Sequence, residues 1–70
     1  MRLKELRARR LLTVRELAAK ADMSPTTLSL IETGHGLPAL RTIRKLSTSL
    51  AVEPLEVEEF RAAIEARGRG

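Results

Sequence analysis

The sequence contains no cysteine, no tryptophan, no tyrosine and a single phenylalanine in 70 residues. The missing cysteine excludes disulfide staples, thiolate metal sites and cysteine nucleophiles, and it suits a reducing compartment. One histidine leaves no His-rich metal cluster. So few aromatic residues argue against a β-sandwich, whose strands are usually rich in aromatic and β-branched side chains. No purely apolar run is long enough to span a membrane or to form the core of a signal peptide. What remains is globular in composition, 43% hydrophobic and 31% charged, and long enough for one small domain only.

The net charge of +4 is unevenly placed. Residues 1–20 carry Arg2, Lys4, Arg7, Arg9, Arg10, Arg15 and Lys20 against Glu5 and Glu16. Residues 51–70 reverse the balance, with Glu53, Glu56, Glu58, Glu59 and Glu65 against Arg61, Arg67 and Arg69. A basic front with an acidic rear suggests a polyanionic partner on one side. Basic residues that merely solubilise helix faces would give the same sum. The glutamates come without a second ligand type, so they read as a solvated, charge-balancing or dimer-flanking face rather than a metal site.

The apolar residues keep a helical period, which predicts five helices and an all-α fold. The first runs from about Arg2 to Arg10 with Leu3 and Leu6 on one face. Thr13-Val14-Arg15-Glu16 has the form of a capping box, opening a second helix from Val14 to about Ala21. Ser24 and Pro25 open a third as N-cap and first helical residue, and Gly34 closes it after Thr33. The stretch Gly34-His35-Gly36-Leu37-Pro38 is a loop. A fourth helix spans about Ala39 to Leu50, with Leu40, Ile43, Leu46 and Leu50 as its stripe. A fifth starts at Pro54 and runs to about Ala66, with Val57, Phe60 and Ile64 aligned. Domain 1–66 is then followed by a flexible tail, 67–70.

The informative unit is helix, short turn, helix between Val14 and Thr33, a geometry that can project its second helix into a DNA major groove. At 100° per residue, Leu28 and Ile31 face inward, while Thr26, Ser29, Leu30 and Thr33 share the outer arc. That arc is small, uncharged and hydroxyl-rich, whereas an ordinary solvated face would carry Lys and Glu. A neutral face can enter a groove about 12 Å wide.

The run LTVRELAAKADMSPTTLSLIETG (residues 12–34), with the loop proline and the Leu/Ile-patterned helix after it, closely resembles the Cro and phage-repressor class of helix-turn-helix regulators. This class is often called the xenobiotic-response-element family. The resemblance covers about Leu3 to Phe60. Its motifs are Leu17-Ala18, Met23 in the turn, Leu28, and Ile31-Glu32-x-Gly34. It implies a compact, five-helix, lambda-repressor-like fold and a non-enzymatic regulator without a cofactor, working in a bacterial or phage-infected cytoplasm.

By position, the resemblance makes Ser24, Pro25, Thr26, Thr27, Ser29 and Leu30 the base readers, to which the helical wheel adds Thr33. It makes Arg7 and Glu32 a buried ion pair locking the first helix to the third. Arg10, Thr13, Arg15, His35 and Arg41 are expected to hold phosphates. The chain departs from the pattern at three places. Val14 stands where the family often has a phosphate-bracing Gln. Leu11 stands where it has a glycine, and is expected to alter the turn and bury more surface. The reading face lacks the Arg, Gln and Asn that bond guanine or adenine bidentately. Hydroxyls, Pro25, Leu30 and threonine methyls therefore imply a site rich in thymine-methyl contacts, with phosphates and DNA shape carrying affinity. The family's two-fold dimers on palindromic operators imply a homodimer, expected through Val57, Phe60 and Ile64 of the helix 4–5 region. An antitoxin or protein–protein adaptor on the same fold is the competing reading.

Overall fold

A computed structural model describes residues 1–68, which leaves Arg69 and Gly70 of the expected tail outside it. The described residues form α1 Leu3–Arg9, α2 Val14–Lys20, α3 Pro25–Glu32, α4 Leu40–Leu50 and α5 Glu58–Gly68, with a 3-10 turn Pro54–Glu56 before α5 and no strand. The fold is thus the all-α, five-helix arrangement expected. Two helix starts are made by the side chains that announce them. Thr13 Oγ1 accepts from the Glu16 N–H at 3.0 Å while Glu16 Oε1 accepts from the Thr13 N–H at 2.8 Å, a complete capping box. Ser24 Oγ accepts from the Thr26 N–H at 3.1 Å, with Pro25 in the first helical position. In contrast, α1 is capped from across the fold: the Leu3 N–H donates to Glu59 Oε1 at 2.9 Å, so a carboxylate of the acidic segment serves the first helix.

Four helices end on one backbone motif. The chain turns left-handed at Leu11 (φ 58°), Asp22 (φ 55°), Gly34 (φ 78°) and Ala51 (φ 55°). At each end the following residue bonds five back: Leu12 to the Arg7 carbonyl, Met23 to Ala18, His35 to Leu30 and Val52 to Ser47, at 2.9–3.2 Å. These Schellman closures satisfy helix carbonyls that would otherwise be orphaned. Leu12, Met23 and Val52 also pack against the core. Leu11 neither alters the turn nor buries surface. It adopts the conformation a glycine would supply and stands 90% exposed, because its side chain leaves the turn outward while Leu12 turns in.

The fifth helix begins later than expected. Met1 lies against the junction, where the Glu58 N–H donates to the Met1 carbonyl (2.9 Å) and the Met1 nitrogen donates to the Glu56 carbonyl (2.8 Å). These bonds take up groups that a continuous helix from Pro54 would use, so Val57 is extended (φ −102°, ψ 122°) and α5 starts after it. At its far end α5 continues through Arg67 and Gly68, and Arg67 Nη2 donates to the Pro38 carbonyl at 3.3 Å.

Leu3, Leu17, Leu28, Leu46, Leu50, Val57 and Phe60 are the largest fully buried side chains, drawn from every helix and from the α5 approach. Ala18 and Ala63, also fully buried, let neighbouring helices approach closely. Leu40 does not join the α4 stripe: it is 50% exposed, one turn before the buried Ile43.

Candidate nucleic-acid interface

A pair of helices as short as α2 and α3 stands only if its neighbours hold it. Leu17, Ala18 and Ala21 of the first and Leu28 and Ile31 of the second are buried in the common core. From α4, Lys45 Nζ reaches the Asp22 carbonyl (3.4 Å) and Ser49 Oγ reaches the Lys20 carbonyl (3.4 Å), so the turn between α2 and α3 is braced from behind. The spacing of apolar residues does not reveal these braces.

The strongest anchor is the ion pair. Arg7 Nε donates to Glu32 Oε2 at 2.7 Å and Nη2 donates to Oε1 at 3.1 Å, while Nη1 donates to the Leu12 carbonyl at 2.8 Å. The side chains are only 13% and 5% exposed. The bond to Glu32 holds the Arg7 guanidinium above its ordinary pKa, against the opposing effect of burial. Arg7 thus fixes three points at once: α1, the C-terminus of α3 and the α1–α2 turn.

With Glu32 turned inward, α3 presents no charged side chain to solvent. Ser24, Pro25, Thr26, Thr27, Ser29, Leu30 and Thr33 are all exposed, so the structure keeps the seven candidate readers on the surface of one helix and its cap. Their hydroxyls are not equally free. Ser24 Oγ accepts from backbone and retains its proton. Thr33 Oγ1 sits 3.0 Å from the Ser29 carbonyl and 3.2 Å from the Leu30 carbonyl, so its hydroxyl is bound to its own helix and its methyl is what remains to offer.

Thr13 and Arg15 stand exposed at the start of α2, His35 on the loop after α3, and Arg41 in the first turn of α4. Among the described residues neither Arg15 nor Arg41 forms an ion pair. Thr13 Oγ1 accepts one bond and can still donate. Val14 is half-buried against the core. Arg10 is held elsewhere: its Nη2 donates to the Leu50 carbonyl at 3.0 Å, at the C-terminus of α4, where a cation suits the helix dipole.

The expected dimer residues need correction. Val57 and Phe60 have no exposed surface; both are core, because the break before α5 turns Val57 inward beside Phe60. Ile64, half-buried, belongs instead to a groove of about 630 Å³ between α4 and the Pro54–α5 side of the molecule. Ile43, Ser47 and Val52 line it together with Leu40, Thr48 and Pro54; Arg44 stands at its α4 edge, and Glu53 and Glu56 on the opposite one.

Compared with protein families, the chain matches the helix-turn-helix family over residues 3–57, from the first residue of α1 to the approach of α5. No curated protein and no solved structure gives a significant match.

Proposed function

The chain belongs to the Cro and phage-repressor class of helix-turn-helix proteins, a DNA-binding family of regulators, and on that footing we propose that it is repressor-like and lays α3 in the major groove of a palindromic operator. The carrying observation is the exposed surface of α3 and its caps, seven neutral residues with no charged side chain facing solvent, in a chain whose Arg15 and Arg41 stand exposed and outside any ion pair among the described residues. Arg15, Arg41, Thr13 and His35 take phosphates and set the register, while Ser24, Thr26, Thr27 and Ser29 meet base edges. Pro25, Leu30 and the Thr33 methyl pack on thymine methyls.

Two copies join through the groove between α4 and α5. Its walls carry opposite charge, Arg44 against Glu53 and Glu56, so a second copy placed two-fold brings each wall to its complement. Such a dimer presents two α3 helices to half-sites about one helical turn apart. Selection of bound duplexes from a random pool tests the whole reading. The expected result is a palindrome with T-rich half-sites, whose preference relaxes on Thr26→Ala and Ser29→Ala, whereas Arg41→Ala weakens all duplexes alike. A G-dominated core at the positions these residues contact would overturn the base assignments. Affinity for duplex that is absent even at low salt would favour the adaptor or antitoxin reading.

A further inference from the structure

His35 is the only histidine of the chain, and it occupies an unusual place. At three of the four Schellman closures the residue after the left-handed position is apolar and packs on the core: Leu12, Met23 and Val52. At the end of α3 that residue is His35, which is exposed. The motif fixes its backbone, through the bond from its N–H to the Leu30 carbonyl at 2.9 Å, and Thr33 fixes its ring, with Oγ1 2.8 Å from Nδ1.

The Thr33 hydroxyl has one proton and three oxygen or nitrogen neighbours. Directed at Nδ1, that proton would leave the hydroxyl oxygen facing two carbonyl oxygens with no hydrogen between them. Directed at the carbonyls, it relieves that repulsion, and the oxygen then accepts from Nδ1–H. The second arrangement places the ring proton on Nδ1 and leaves Nε2 of the neutral ring as an acceptor. Phosphate oxygens are acceptors too. Nε2 can therefore bond a phosphate only after it gains a proton.

We infer that His35 meets the DNA backbone as an imidazolium, so that binding draws one proton from solvent onto Nε2. This rests on the DNA-binding reading above. Histidine is the side chain that ordinarily changes charge between pH 5 and 8, and a phosphate beside the ring favours its charged form. Of the charged groups on α3, α4 and α5, Glu32 is closed off by Arg7, and α4 carries the cations Arg41, Arg44 and Lys45. Helix α5, tied to the loop by Arg67 on the Pro38 carbonyl, carries Glu58, Glu59 and Glu65 beside Arg61 and Arg67. Among the described residues no carboxylate pairs with His35, so the partner for its positive charge has to come with the ligand.

The test is the affinity for a selected duplex, by fluorescence anisotropy at fixed ionic strength between pH 8 and pH 6. Calorimetry in two buffers of different ionisation enthalpy counts the proton taken up. Wild type should bind several-fold more tightly at pH 6, with net proton uptake. His35→Gln should still bind, with that pH response removed. Thr33→Val frees Nδ1, allows the Nε2–H tautomer and should raise affinity at pH 8 towards the value at pH 6. Binding that is flat or weaker at pH 6, or a pH response that survives His35→Gln, overturns the inference and leaves DNA binding standing. A protein that binds no duplex at either pH overturns the DNA-binding reading itself.

Discussion

Arg7 is the basic side chain that does not face solvent, and the position of α3 depends on it. Its guanidinium holds both oxygens of Glu32 and the Leu12 carbonyl, so removing either charge leaves the other in a site with almost no water. Glu32→Ala should therefore destabilise the domain by about 3–5 kcal/mol, the range for breaking a buried pair from one side. A domain of this size has a total stability of the same order, so the variant should be largely unfolded at 37 °C. Arg7→Leu combined with Glu32→Leu removes both charges and should recover most of the loss. Urea denaturation of the two variants decides the point: equal stability for the single and the double change would mean that the pair contributes shape rather than charge. In the folded double variant, DNA binding reports whether α3 needs the ion pair or only the packing.

Helix ends show where the chain's signals are legible and where they are not. Thr13-x-x-Glu16 and Ser24-Pro25 announced two starts, because capping is local and its partners lie within three residues. The start of α1 was not legible, since its cap, Glu59, comes from the other end of the sequence. For the same reason the acidic segment read as a solvated face, and the break before α5 was hidden by Met1. Of the four left-handed stops, Gly34 was visible outright and Leu11 only as the place where the family has a glycine; Asp22 is a tolerated but weak signal, and Ala51 carries a side chain that usually avoids that conformation. This gives a paired expectation. Leu11→Gly removes a 90% exposed side chain and the left-handed strain, and should stabilise by about 0.5–1 kcal/mol after the entropy of glycine is counted. Gly34→Ala meets no atom within 4 Å, so its whole effect is backbone strain, a loss of about 1 kcal/mol. Thermal melts should then move in opposite directions by roughly 4–8 °C per kcal/mol. The capping box adds a pH dependence. The Thr13 N–H holds the Glu16 carboxyl below its ordinary value of 4.5, so the cap favours the folded state above that pH and fades as pH falls through the lower folded value. The stability difference between wild type and Glu16→Ala should accordingly be present at pH 7 and shrink towards pH 3.

At the scale of the whole molecule, charge is sorted rather than merely summed. Arg7 is held inside, Arg10 closes α4 and Lys45 leans on the α2–α3 turn. Arg15, Arg41 and His35 are then the cationic groups the proposed reading leaves for phosphate. If Arg15, Arg41 and protonated His35 each neutralise one phosphate, the logarithm of affinity should fall with the logarithm of salt at a slope of about −2 to −3 per copy. The proposed dimer supplies the second grip, with the partner copy seated in the groove beside α4. In the proposed dimer the apolar floor gives no choice of partner by itself, and Arg44 on one wall with Glu53 and Glu56 on the other is what selects a second copy. Ile64→Glu places a carboxylate in that floor and should yield a folded monomer by sedimentation, because Ile64 is only half-buried in a single copy. Its affinity for the full palindrome should drop by roughly 100-fold or more, while binding to an isolated half-site stays near wild type. Arg44→Glu should dissociate the dimer through like-charge contact with the facing wall. Adding Glu53→Lys and Glu56→Lys to it exchanges the signs of both walls and should restore the dimer and the palindrome affinity together. A triple variant that stays monomeric would show that the groove joins no second copy. Wild type that is monomeric on the bound palindrome would show that two copies meet through the DNA alone.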